Sequence, residues 1–338
     1  MKDSLRSISF NKFKANSSSY IAVGIMCGLF LLLVTILAFI GPSLLIIAVP
    51  LLALPFLFAS HVACYYLQIN QQISLSAYAR YFMGFFRSQF RGSFRGLISF
   101  LKSLGFYFAT VIVAGIIFYL IFKARYGETF VNSFNTLAFQ YVNNVEFTYE
   151  ELTALLEDNN NMLLTFIVYI SAVGIPLSML AFIYYISFSS LSIYYRTNVA
   201  FGAASLLKMS VSNTYARHRA EMRKDWFSLN WPMLVLSFVG MLAFGALDFF
   251  LIKRIDLLPT FVLVGGVALL MFYLPFYFAN METIYKKYEM NFKEGNQEAI
   301  ETILRRIQNS IDLSEEEKKN LEASLRGQDH QDDEDGDK

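Results

Sequence analysis

Six uninterrupted apolar runs constrain this chain more than any other feature: Tyr20 to Ile40, Ser43 to Tyr66, Ile98 to Phe122, Met162 to about Ile186, Trp231 to Ile252 and Leu258 to Ala279. About 20 helical residues cross a hydrocarbon core about 30 Å thick, and each run reaches that length. Lipid offers no water to backbone N–H and C=O groups, so each run must satisfy them internally as a helix. A barrel would instead show ten-residue segments of alternating polarity. The expected fold is therefore an all-α, polytopic transmembrane helical bundle of six spans. Composition agrees: 16% of residues are charged, against roughly 25% in soluble domains. The first run is too long for a signal peptide and leads through Gly41 and Pro42 into another span, so it reads as a retained anchor.

Lysine and arginine resist translocation, which makes their distribution a topology signal. Segments 1–19, 67–102, 196–230 and 281–338 carry 24 of them, whereas the opposite side carries only Lys123, Arg125, Lys253 and Arg254. The expectation is a multi-pass cell-membrane protein with both termini in the cytoplasm. Its domains are a cytoplasmic segment 1–19, a membrane domain 20–280 with an outer loop 124–161, and a cytoplasmic tail 281–338. Cys27 and Cys64 lie near cytoplasmic ends of spans, where thiols stay reduced, so no disulfide is expected.

The even spans share a local pattern: Leu54-Pro55-Phe56-Leu57-Phe58-Ala59, Ile175-Pro176-Leu177, and Leu274-Pro275-Phe276-Tyr277-Phe278-Ala279. A basic, aromatic-bearing segment precedes each odd span, so the chain reads as three helical-hairpin pseudo-repeats. Proline removes a backbone hydrogen bond and frees a carbonyl, which makes Pro55, Pro176 and Pro275 candidate kinks. Kinks at matching places in repeats often flank a binding site. The competing explanation is that bilayer helices simply tolerate proline.

Arg87, Arg91 and Arg95 recur at spacing four among phenylalanines, the pattern of an interfacial helix. Arg217, Arg219 and Arg223, followed by Lys224 and Trp226, repeat the theme. These six arginines are candidate contacts to anionic lipid headgroups or phosphate on the cytoplasmic side, unless they serve only to set topology. Ionisable residues within the spans are few. Asp248 is expected to form an interfacial ion pair with Lys253 or Arg254, and His61 to be a neutral imidazole bonded to nearby backbone. Asn280 and Glu282, just past the sixth run, are expected to face the headgroups, with Lys102 snorkelling to the inner surface.

The outer loop places Glu146, Glu150, Glu151, Glu157 and Asp158 among apolar residues, as in an amphipathic helix with a solvated acidic face. The tail reads as two short amphipathic helices. One carries Ala299, Ile300, Ile303, Leu304 and Ile307; the other follows a turn at Asp312 and opens with a capping box from Ser314 to Glu317. The end of the tail, with Asp332, Asp333, Glu334, Asp335 and Asp337, is expected to be a disordered acidic stub. The sequence contains no phosphate loop, GxGxxG, HExxH or GxSxG motif, and its three histidines are scattered, so no cofactor, metal or nucleic acid is expected.

From Leu54-Pro55 through Tyr65-Tyr66 to Phe85-Phe86-Arg87-Ser88-Gln89-Phe90-Arg91 the chain resembles the YesL-like family of small bacterial membrane proteins. That resemblance implies a six-span architecture and a link to solute uptake, with no catalytic residues to carry over. The functional expectation is a non-enzymatic transport-related or transport-accessory protein. The alternatives are a structural or regulatory subunit of another membrane complex, or an enzyme that handles lipid headgroups. Expected partners are anionic lipids and a membrane protein.

Overall fold

The computed structural model describes residues 4–41, 43–68, 76, 79, 80, 83, 90–142, 162–196, 207–252, 257–309 and 314–321. No strand occurs among them, and six helices are long and apolar enough to cross a membrane. The protein is a multi-pass helical membrane protein. Its helices in chain order are α1 (Leu5–Ala15), α2 (Ser17–Ile36), α3 (Ser43–Ala48), α4 (Leu54–Gln68), α5 (Phe90–Val142), α6 (Met162–Tyr169), α7 (Ile175–Arg196), α8 (Lys208–Leu247) and α9 (Leu258–Gln308).

The second and fourth spans are each interrupted by one wide π turn, Val49–Ala53 between α3 and α4 and Ile170–Gly174 between α6 and α7. Each π turn ends two residues before a proline. The Leu54 N–H donates to the Val49 carbonyl, and the Ile175 N–H to the Ile170 carbonyl. These i to i−5 bonds shift the ladder just where Pro55 and Pro176 have no N–H to give. Pro275 behaves differently. It lies inside continuous helix α9, and its ring packs on Gly24 of α2. The third proline therefore marks a helix contact, not a π-bulged kink like the first two. A third π segment, Asp248–Ile252, extends the C-terminal end of α8.

Helix α9 is the hub. A side chain at Gly24 would place its Cβ 2.5 Å from Pro275 Cγ, and one at Gly28 would come 2.7 Å from Met271 Cβ, so α2 docks on α9 through a Gly-xxx-Gly face. On the other side α8 meets α9 backbone to backbone. A Cβ at Gly240 would fall 2.1 Å from the Gly265 carbonyl oxygen, and one at Gly265 would fall 2.3 Å from that of Gly240. With no hydrophobic drive between helices in lipid, such close approach supplies the dispersion contact that holds the bundle.

The α8–α9 pair does not end with the apolar runs. Lys287 of α9 meets Asp225 of α8 at 2.5 Å, Tyr288 donates to the same carboxylate at 2.8 Å, and Asn296 accepts from the Leu207 N–H at 2.8 Å. Tyr285, Tyr288 and Phe292 remain buried along this extension. Residues 208–230 and 281–308, expected as a loop and a tail with a separate short helix, are thus the continuation of two spans. They form an antiparallel stalk, of which the α9 arm from Glu282 to Gln308 is about 39 Å long at 1.5 Å per residue. The second tail helix, 315–321, has the expected cap: the Ser314 hydroxyl accepts from the Glu317 N–H, and Glu317 accepts in return from the Ser314 N–H.

Helix α5 likewise starts at Phe90 and runs straight into the third span, so Arg91 and Arg95 belong to the spanning helix and not to a separate interfacial one. Arg87 and the side chains of Arg91 and Arg95 lie outside the described residues. At the far end α5 bends at Gly127, whose φ of 63° is a conformation that glycine adopts without steric cost. The arm beyond it folds back, placing Phe134 5.1 Å and Phe130 5.6 Å from the Tyr119 ring. These rings and Phe122, Leu163 and Phe166 build a separate apolar cluster. The outer-loop carboxylates Glu146, Glu150, Glu151, Glu157 and Asp158, the turn at Asp312 and the acidic stub lie outside the described residues.

Candidate functional site

Two features at the basic end of the bundle combine chemistry with shape. The first is a polar clamp where α1 and α2 meet α8 and α9. Pro232 of α8 has no N–H, so the carbonyl four residues earlier, on Ser228, lacks its helical donor. Arg6 of α1 takes that place, donating from Nε at 3.2 Å and Nη2 at 3.0 Å. One turn along α1, Ser9 donates to the Asn280 side-chain carbonyl at 2.5 Å. The Asn280 amide nitrogen in turn reaches Asn230 Oδ1 and the Tyr273 hydroxyl at 3.0 Å each. Tyr273 donates to the Leu229 carbonyl at 2.7 Å.

Glu282 completes the clamp. It accepts a hydrogen bond from the Tyr20 hydroxyl of α2, and Lys12 Nζ lies 3.4 Å from its second oxygen, an ion-pair separation. The residue is 5% exposed. Burial pushes its pKa up to about 7, against the opposing pull of Lys12, the Tyr20 hydroxyl and Lys286. Asn280 and Glu282, expected at the headgroups, are therefore interior groups. The reason is that α9 continues past its apolar run under cover of α1 and α8. Above Glu282 a small enclosed cavity is lined by His61, Ser190, Leu191, Phe278 and Met281. The His61 ring stands edge-on to Tyr277 and Phe278, at 5.7 Å and 5.3 Å. Buried His61 and Glu282 thus line one cavity.

The second feature is a lateral groove of about 520 Å³ between α5, α7 and α8. Phe106, Leu180, Ala181, Phe227 and Leu234 form its apolar walls, and Arg223 and Lys224 stand at its basic end beside Tyr184. Tyr184 is fixed edge-on against buried Trp226 at 5.0 Å, and Phe106 stacks on Tyr185 at 5.6 Å.

Of the arginines singled out from the sequence, Arg223 lines this groove, and Arg219 joins it in acting electrostatically on Tyr184. Arg217 is turned away, 3.7 Å from Glu298 of the stalk with both side chains largely exposed. Asp248 is buried at the start of the π segment that follows α8, while Lys253 and Arg254 lie outside the described residues. Cys27 is a buried free thiol. Among the described residues no cluster of histidine, cysteine and carboxylate side chains has metal-binding geometry.

Sequence reasoning placed Asn280 and Glu282 at the headgroups instead of the interior, and missed Arg6. A usable signal was the stripe Tyr277, Met281, Ile284, Tyr285, Tyr288 and Phe292, whose spacing of three and four runs on beyond the apolar segment and marks a covered face. Searches against protein-family models, curated proteins and solved structures return no match to this chain.

Proposed function

We propose that this chain is a non-enzymatic transport-accessory protein of the cell membrane, with both termini in the cytoplasm, that assists a partner instead of forming the conducting path. The observation that carries this reading is the α8–α9 stalk. Two spans run on as one paired hairpin far beyond their apolar runs, and its solvent faces carry Arg217, Glu298, Glu301 and Arg305. Such an extension offers a rigid, charged post to another protein. The core where α8 and α9 leave the bundle supports the same reading, because it is filled by Trp226, Tyr277, Phe278, Met222 and Met233, all fully buried. The polar groups at the clamp bond to one another and to helix carbonyls, which suits joining elements together more than processing a substrate. The charge bias of 24 to 4 supports a stalk on the cytoplasmic side.

The test is affinity purification in mild detergent through a tag placed after Lys338, with mass spectrometry of retained proteins. The expected result is a stoichiometric membrane-protein partner whose recovery drops when Glu298, Glu301 and Arg305 are reversed in charge. A protein that purifies alone and by itself moves solute across liposomes would overturn the accessory role.

A further inference from the structure

We propose that the lateral groove between α5, α7 and α8 is a binding site for an anionic phospholipid of the leaflet at the basic end. Arg223 and Lys224 hold the headgroup phosphate, and one acyl chain lies along the apolar walls. Three observations converge on this occupant. The first is length. Arg223 and Leu234, both lining the groove, are eleven residues apart on α8, or about 16 Å at 1.5 Å per residue. Phe106, Leu180 and Ala181 fall within the apolar runs of α5 and α7, while Arg223 and Lys224 lie eight and seven residues before that of α8, so the groove covers the passage from headgroup to hydrocarbon of one leaflet.

The second is charge. Among the described residues neither Arg223 nor Lys224 makes an ion pair with a carboxylate, and no acidic side chain lines the groove. Arg217, on the same helix, is paired with Glu298 instead. Arg219 adds a further cation close to Tyr184. A guanidinium and an ammonium one residue apart suit a phosphate oxygen cluster, and the Tyr184 hydroxyl beside them offers a donor.

The third is polarity order. Along α8 the lining passes from Arg223 and Lys224 through Phe227 to Leu234, with Tyr184 against Trp226 at the level between cations and Phe227, the order in which a membrane passes from headgroup to interface to acyl chain. Free phosphate would use only the basic end and leave the apolar length without purpose. The site does not depend on the accessory role proposed above, since a bound lipid needs only the groove and the bilayer.

The experiment is native mass spectrometry of the full chain released from nanodiscs of equal parts phosphatidylglycerol and phosphatidylcholine. Binding of added phosphatidylglycerol is titrated alongside. The wild type is expected to retain one phosphatidylglycerol. Arg223→Gln with Lys224→Gln is expected to weaken binding about thirtyfold, taking about 1 kcal/mol for each headgroup cation. Arg223→Lys with Lys224→Arg keeps the charge and is expected to keep the lipid. Ala181→Trp fills the groove with both cations intact and is expected to lose the lipid, while Arg217→Gln retains it. Equal retention of phosphatidylcholine, displacement by inorganic phosphate at 10-fold excess over the lipid, or unchanged binding in Ala181→Trp would each overturn the proposal.

Discussion

Alanine replacing glycine in the middle of a helix separates intrinsic helix preference from packing, and the contact of α8 with α9 makes the two oppose each other. At Gly240 the added Cβ would lie 2.1 Å from the Gly265 carbonyl oxygen, where ordinary contact begins at 3.4 Å, a shortfall of 1.3 Å. The obstacle is backbone, so no rotamer change relieves it. The two helices must move apart, at the overpacking cost of about 1–3 kcal/mol. Against this stands a gain of about 0.5–1 kcal/mol from replacing glycine by alanine within a helix. Gly115 of α5 has nothing within 4 Å, so there only the gain remains. Gly240→Ala is expected to lower the melting temperature in detergent by several degrees, at about 2–4 °C per kcal/mol. Gly115→Ala is expected to leave it level or raise it slightly. Between them falls Gly245→Ala, whose Cβ would meet only a valine methyl at 3.2 Å. Fluorescence-detected size-exclusion after heating gives the ranking. If Gly240→Ala and Gly115→Ala shift the midpoint alike, the backbone contact does not hold the bundle and the assignment of α9 as hub fails.

Further expectations concern the clamp, the tail and the topology. Glu282 is held up to about 7 from an ordinary 4.5, so the folded state binds the extra proton and its stability falls as pH rises through that window. Melting curves from pH 4.5 to 8 should slope downward for the wild type and lose that component in Glu282→Gln. Arg6→Ala should cost about 1 kcal/mol by leaving the Ser228 carbonyl without a donor. It should cost less in a Pro232→Ala background, where the restored N–H serves; a double-mutant cycle with no coupling would sink the clamp argument. Ser314→Ala removes the hydroxyl that donates to the Glu317 carboxylate and accepts from the Glu317 N–H, leaving only the Ser314 backbone N–H on that carboxylate. It should speed amide exchange across 315–321 without moving the global melt. In a background lacking Cys27 and Cys64, cysteines at Ser18 and Ser212 should be shielded from an impermeant thiol reagent added outside, while one at Asn159 should label. Labelling at Ser18 from outside would reverse the proposed orientation.

The spans were legible because length and unbroken polarity are properties of a segment on its own, and the bilayer imposes the same demand on each. The fates of Pro55, Pro176 and Pro275 were not, because the three share a local sequence and differ in what lies opposite. Two are relieved within their own helix by a π turn, and the third by a glycine on another helix. The same distinction separates Arg217 from Arg223. Six residues apart on α8 they carry the same charge, yet one meets Glu298 of the stalk and the other faces the groove. Nothing in their own neighbourhood of the sequence encodes that choice.

The largest surprise, the burial of Asn280 and Glu282, follows from a rule that the apolar runs conceal. Hydropathy marks where lipid covers a helix, but protein can cover it equally well, and then polar residues are admitted if their partners are supplied. On α9 the cover by α8 continues past the end of the apolar run near Ala279 and is joined there by α1, and from that point Asn230, Ser9, Lys12 and Tyr20 satisfy what water would otherwise have satisfied. The boundary of the apolar run is therefore not the boundary of the core. Where a stripe such as Tyr285, Tyr288 and Phe292 keeps its helical spacing past that boundary, the buried face continues with it.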